Sequence, residues 1–181
     1  DVQLISYQSS DGGSEPKKVS VRSLVLEVNI YEDIFSKGLS GNIVLLDGQN
    51  LTNHLPLTGF ERIEFKLNTP GIVKGFDFTA KTGHPMYIYK ISGRQEMTPR
   101  TQMYVLHFAS KEVLTNETKK VYRSMSGTID DMVLDVFRTD LESNKTLILE
   151  ETKGIRKYVP VGERPFDFID GLAKSAESAR Y

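Results

Sequence analysis

Apolar and polar residues are patterned most clearly between Ser23 and Asp47, a stretch that predicts two long strands joined by an acidic connector. Leu24, Leu26, Val28 and Ile30 alternate with Val25, Glu27, Asn29 and Tyr31, the period of two that marks a half-buried strand. Asn42 to Leu46 reads NIVLL and is apolar on both faces, as a strand covered on both sides would be. Between them Gly38 and Gly41 supply turn freedom, while Ile34 and Phe35 are unusually apolar for a loop. Flanked by Glu32 and Asp33, that pair must either fold back onto the same domain or meet a partner.

The same reading runs along the chain. Val2 to Tyr7 predicts a short first strand, Gln8 to Lys18 a polar loop, and Asn50 to Leu55 one helical turn stopped by Pro56. Ile63, Phe65 and Leu67 alternate with Arg62, Glu64 and Lys66, predicting a strand with one buried face. Thr69-Pro70-Gly71 predicts a turn, and Phe76, Phe78 and Ala80 a strand. Met86 to Ile91 and Gln102 to Ser110 predict two more strands, with a polar loop from Ser92 to Thr101. Lys111 to Asn116 is a polar turn or helix, and Lys119 to Met125 a last strand. Short strands separated by turn signals predict an antiparallel barrel or sandwich.

After Met125 the period changes. Thr128 is placed to cap a helix, with Asp130 and Asp131 in its first turn, and Ile129, Met132, Val133, Val136, Phe137 and Leu141 form one stripe. Thr146 to Glu150 and Ile155 to Val161 predict strands. Pro165 opens a helix whose expected buried face is Phe166, Ile169, Leu172, Ala173 and Ala176. The predicted fold class is therefore α+β, mainly β, with a boundary near Ser126: a β domain over 1–126 and a smaller α/β segment over 127–181. That segment offers little material to cover the last helix's stripe, so Tyr181 is not expected to be a natural domain end. The chain opens on Asp1 rather than Met, so its natural start is expected upstream or removed.

Composition narrows the chemistry. The 181 residues suffice for a sizeable core, roughly 70% of the unfolded surface being buried at this size. Cysteine is absent, which excludes disulfides, thiol catalysis and cysteine-based zinc sites. A net charge of −1 with charges dispersed argues against a general nucleic-acid or anionic-membrane surface. No apolar run reaches membrane-spanning length. His54, His84 and His107 lie far apart without a second ligand at metal spacing, so they read as solvated or packed histidines. Neighbouring acids point apart on regular backbone, so neither Glu32-Asp33 nor Asp130-Asp131 is a shared-proton dyad. Gly71 to Gly75 lacks the context of a phosphate loop, and no serine stands in a nucleophile elbow. Asn50, Asn116 and Asn144 head Asn-x-Thr tripeptides of the kind polar turns produce by chance. No catalytic, cofactor or metal residue is assigned, and no enzyme activity is expected.

Several pieces, in order, resemble the N-terminal region of baseplate hub proteins from contractile-tailed, myovirus-type bacteriophages. They are Ile30-Tyr31-Glu32-Asp33-Ile34-Phe35, Ser40-Gly41, then Asp47, Asn50 and Leu51, Leu55-Pro56, Gly59, and the Phe65 strand ending in Thr69-Pro70-Gly71. Tyr104, Leu106, Phe108, Ser110 and Glu112 resemble the next long strand and its acidic exit. Lys157-Tyr158-Val159-Pro160 and Pro165-Phe166, with Ile169, Leu172 and Ala173, resemble the family's later strand and helix. Lys37-Gly38 and Arg164 depart from it, where a proline with an apolar residue and a Ser or Thr cap are usual.

The resemblance implies a tail-tube-like antiparallel β-barrel as the first domain and the start of an inserted second domain after it. It implies a homotrimer in the intact protein, at the centre of a phage tail baseplate, assembled in the host cytoplasm. Its partners would be other baseplate and tail-tube proteins and the membrane-piercing tail spike. DNA would pass through without sequence-specific binding, and the protein would neither insert into a membrane nor carry a cofactor. Glu32, Asp33, Ile34 and Phe35 are the expected subunit or partner contact. A related injection-machine spike protein would share the barrel. A β-barrel ligand- or carbohydrate-binding module of a phage or secreted protein is the alternative, with Tyr87 and Tyr89 as its aromatic platform. A small hydrolase lacks a coherent nucleophile and base.

Overall fold

The structure is a computed structural model that describes residues 1–6, 16–51, 55, 61–68, 70–71 and 75–180. It is α+β and mainly β, and it divides into two compact units, Asp1–Lys111 and Glu112–Tyr181. His54, Pro56, Gly59, Thr69, Ile72 to Lys74 and most of the Gln8 to Lys18 loop lie outside the described residues. Among the described residues no helix is long and apolar enough to cross a membrane.

Among the described residues, the first unit is an eight-stranded antiparallel sheet: β1 (Val2–Ser6), β2 (Lys17–Ser20), β3 (Val25–Tyr31), β4 (Ser40–Asp47), β5 (Arg62–Leu67), β6 (Phe76–Phe78), β7 (Met86–Thr98) and β8 (Thr101–Ser110). The strand order is β2-β1-β5-β7-β8-β4-β3, with β6 on β5. The two ends of that order are one continuous piece of chain. β2 leaves β1, passes through a single 3-10 turn at Arg22–Leu24 and becomes β3 on β4. Val21 and Leu24 are buried at this corner, so the sheet wraps around one core as a barrel.

Sequence periodicity sets that core. Ile43 and Leu45 of β4, Ile63 and Phe65 of β5, Ile88 of β7, and Tyr104, Leu106 and Phe108 of β8 all point inward. Phe65 packs against Phe78 at 4.9 Å and edge-on against Phe108 at 5.5 Å between centroids, contacts of roughly 0.5–1.5 kcal/mol each beyond burial. β4 runs between β3 and β8. One of its faces is fully buried, while Asn42, Val44 and Leu46 on the other are half-buried, so it is less covered than NIVLL suggests.

Other expectations in this unit need correction: Lys17 and Lys18 belong to β2 rather than to a loop, and Ala80 begins a 3-10 turn rather than continuing β6. A bulge between Val25 and Glu27 breaks the alternation of β3: Leu24 and Val25 turn inward, and Leu26 is exposed. Ser92 to Thr98 is strand rather than loop, so β7 and β8 form a long hairpin turning at Pro99-Arg100. Its outer residues are exposed on both faces, which removes the alternation that would have announced them.

The second unit holds α1 (Lys111–Thr118), β9 (Met125–Gly127), α2 (Ile129–Thr139), β10 (Arg156–Tyr158) and α3 (Pro165–Lys174). It begins at Glu112 rather than near Ser126 because residues 112–127 bond to residues much further along the chain. β9 pairs with β10, Val121 bridges Glu163, and Arg123 binds the Asp140 carboxylate through Nη1 at 2.6 and 2.7 Å. Lys119 to Met125 is therefore a bridge and a strand start, not a full strand. Thr146 to Glu150 forms no strand; no described strand pairs with it, and Ile148 is 93% exposed.

The Thr128 cap forms as expected, its Oγ1 accepting the Asp131 N–H at 3.4 Å. On α3 the buried face is Pro165, Phe168 and Leu172, rotated from the expected one. Phe168 meets Tyr158 edge-on, and Ala173 and Ala176 are exposed. Ile169, Ala173 and Ala176, with Ile129 and Val133, line an open apolar groove of about 420 Å³, so the α3 stripe is only partly covered.

Candidate subunit-contact site

The connector of residues 32–39 leaves β3 after the Tyr31–Ser40 pair and returns as β4. Local bonds fix its shape. The Asp33 carboxylate accepts the Phe35 N–H at 2.8 Å, the Asp33 carbonyl accepts the Ser36 N–H at 3.0 Å, and Ser36 Oγ donates to the Gly38 carbonyl at 2.9 Å. This is an Asx-type turn, in which a short carboxylate replaces a backbone acceptor. At the root, the Leu39 side chain packs on the barrel core and its carbonyl accepts the Ser110 N–H at 2.9 Å. Gly41 admits β3 and Phe108 closely: a Cβ there would lie 2.3 Å from the Asn29 carbonyl oxygen and 2.6 Å from the Phe108 ring. Tyr31, Asn42, Asn29 and Glu27 brace the outer face in a polar chain, with Asn42 Nδ2 donating to Tyr31 Oη at 2.9 Å.

The turn displays its apolar pair to solvent. Ile34 is 92% and Phe35 89% exposed, and Glu32 and Asp33 beside them are also exposed. Neither apolar side chain folds back onto the described barrel core. Large apolar side chains held out on an ordered turn have no stabilising role in the isolated unit.

A second feature lies at the far end of the same strand. A depression of about 390 Å³ is lined by Asp47, Gln49, Arg94, Pro99, Arg100 and Gln102. Asp47 is buried and its carboxylate is occupied internally, accepting the N–H of Gln49 at 2.8 Å and of Leu51 at 2.7 Å and the Tyr104 hydroxyl at 3.2 Å. Burial, with the Asp47 charge beside it, pushes the Tyr104 phenol above its usual range, so it stays a neutral donor. Arg94 and Arg100 are exposed, Arg94 Nε donating to Gln102 Oε1 at 2.8 Å. The depression therefore presents positive charge. Nothing in the local sequence marks it, because the hairpin of β7 and β8 brings Arg94 and Arg100 to the Asp47 end of β4.

The remaining singled-out residues are structural or dispersed. Asp130 bonds the Thr152 N–H and hydroxyl, and these bonds, with Thr128, hold its carboxyl below the usual range. Asp131 meets Thr128 instead, so the two acids start a helix. Asn116 is buried and accepts the Phe166 N–H at 2.8 Å; Asn50 and Asn144 are exposed. His84 is exposed, and among the described residues no group of acids and histidines could hold a metal ion. Tyr89 falls at a bulge beside His107, while Tyr87 pairs with Ala109, so the two tyrosines do not continue one alternation.

One pair was hidden in the sequence. Ser92 Oγ lies 2.7 Å from His107 Nε2 across β7 and β8. Three register shifts along β7 surround that juxtaposition, which no fixed spacing encodes. Among the described residues no carboxylate bonds the other ring nitrogen, so the pair lacks the orienting acid of a hydrolytic triad.

No known family model matches this sequence, and no curated protein matches it either. Among solved structures, the fold is similar to an Escherichia coli protein. That protein is a component of the type VI secretion system and exhibits structural similarity to the bacteriophage T4 tail proteins gp27 and gp5. The match has a TM-score of 0.47 and 8% identity, and covers 81% of this chain and 42% of that one. The present chain thus spans about two-fifths of that protein's length.

Proposed function

We propose that this chain is a structural, non-enzymatic part of a phage-tail-type baseplate hub, and that Glu32, Asp33, Ile34 and Phe35 form its subunit contact. The observation that carries the reading is the near-complete exposure of Ile34 and Phe35 on a turn held by its own hydrogen bonds. An ordered apolar tip loses little entropy on docking, which is how a few residues come to dominate an interface. The ordered resemblance from Ile30 to Gly71 supports the hub assignment, with a tail-tube-like barrel as the first domain. In this reading the intact protein is a homotrimer in the virion, assembled in the host cytoplasm. It joins the tail tube to the membrane-piercing spike, among other baseplate proteins, and leaves a passage for DNA.

Phe35→Ala in the intact protein tests this. Sedimentation velocity at micromolar concentration should show the wild type as a trimer and the variant dissociated, with the thermal midpoint unchanged. A loss of fold stability of about 3 kcal/mol would instead assign Phe35 to a core. A monomeric wild type would count against the hub itself.

A further inference from the structure

One stretch of the second unit has the sequence of a strand and no ladder. Thr146 to Glu150 reads TLILE, and from Ser143 to Ile148 burial alternates residue by residue, the period of extended chain. Leu147 packs on the second unit's core, Ile148 points outward, and Leu149 lines the groove beside α3. The residues that follow are paired. Lys153 N–H donates to the Glu177 carbonyl at 2.8 Å, and Ala179 N–H to the Glu151 carbonyl at 2.9 Å. Among the described residues, Thr146 to Glu150 make no backbone–backbone hydrogen bond. Open peptide groups along an apolar, β-prone segment are what an added strand completes. The groove beside them holds about 420 Å³, and its charged lining has one sign: Asp130, Glu150 and Glu151, with no lysine or arginine. Asp130 and Glu150 bond the uncharged groups of Thr152 and Ser178, which leave their negative charge in place.

We propose that this edge and groove receive an extended, basic segment of a partner protein. Its backbone pairs with Thr146 to Glu150, and alternate apolar side chains enter the groove between Leu149 and the small residues Ala173 and Ala176. Lysine or arginine at the intervening positions meets Asp130, Glu150 and Glu151. The three selections are separate. Peptide bonds supply affinity, the groove asks for apolar residues at every second position, and the acids reject an acidic segment. The surface lies wholly within the second unit and is independent of the connector contact proposed above.

A labelled peptide that alternates lysine with valine and isoleucine tests this on the intact protein. Fluorescence anisotropy should show saturable binding that weakens with added salt. A matching peptide with glutamate for lysine should bind about tenfold more weakly or worse, and so should one N-methylated at alternate residues, whose edge cannot pair. Ala176→Leu fills the groove and Glu151→Lys reverses one charge, both from exposed positions, so thermal midpoints should stay near the wild-type value. Each should weaken the lysine peptide about tenfold. Hydrogen exchange reads the backbone directly. The amides of Leu147 to Glu150 should exchange rapidly in the free protein and about tenfold more slowly with the peptide bound. No saturable binding, equal affinity for all three peptides, or binding that leaves those amides unprotected would overturn the proposal. Amides already protected in the free intact protein would overturn it too, because the segment would then be paired within the protein or with another copy.

Discussion

Glu112 shows how a single carboxylate can be read as surface from sequence and yet be built into the fold. It is 6% exposed, accepting Ser143 Oγ at 2.6 Å and Lys145 Nζ at 2.7 Å. Burial by itself would raise its pKa, but the bonds from Lys145 and Ser143 outweigh burial and hold the carboxyl below its usual value. A folded-state pKa below the unfolded one means this contribution is full above about pH 4.3 and is lost as pH falls through the folded value. Urea titrations at pH 7 and at about pH 3.5 should therefore show less stability in acid. Glu112→Gln should cost about 1–3 kcal/mol at neutral pH and flatten that dependence. An equal pH dependence in variant and wild type would refute the assignment. The partners lie 31 and 33 residues away, so nothing in Lys111 to Asn116 could announce them. Ser92 and His107 were hidden for the same reason. By contrast, Ile34 and Phe35 were legible as an anomaly, because two large apolar residues directly after two acids have no place in an idle loop.

Among the elements, legibility followed the regularity of the backbone. β5 and the capped start of α2 were readable because their periods run unbroken. The bulge of β3 defeated its alternation, and the exposed half of β7 had none to read. α3 is a subtler case. Its stripe admits two faces, and packing against Tyr158 selects the one carrying Phe168. Its start also lacks a cap of its own, since Arg164 makes no side-chain cap bond. Asn116 on α1 supplies the missing acceptor to Phe166 N–H. Asn116→Ala should thus cost about 1–2 kcal/mol, as removing a good cap does. Asn116→Asp, which keeps an acceptor, should lose much less. Circular dichroism with urea unfolding distinguishes the two, and equal losses would show that Asn116 acts through packing instead.

The two units differ in how much apolar material holds them. Among the described residues, the barrel cluster contains sixteen buried side chains and the second unit's cluster eight. The sequence located the shift from strands to helices near Ser126, but the units divide at Lys111, because distant pairings such as β9 with β10 decide where a unit begins. A period change reports local structure, whereas a boundary is a property of contacts far apart in sequence. The smaller core bears on stability. An apolar groove remains open along α3, and segments of unpaired backbone such as Thr146 to Glu150 add ordering cost without ladder bonds. In the barrel, β4 and β8 share eight paired positions over the most buried part of the core. Local opening takes less free energy where fewer apolar contacts must break, so the two cores should exchange amide protons at different rates. We expect the amides of Ile43, Leu45, Leu106 and Phe108 to remain protected longest. Those of Met132, Val133, Val136 and Leu172 should exchange about tenfold faster or more, a gap of ~1.4 kcal/mol in opening free energy. Native-state hydrogen exchange on the intact protein, read residue by residue, measures this directly. Equal protection in both sets would mean that the two cores open together, and greater protection on α2 and α3 would mean that the count of buried side chains misjudges which unit is the more stable.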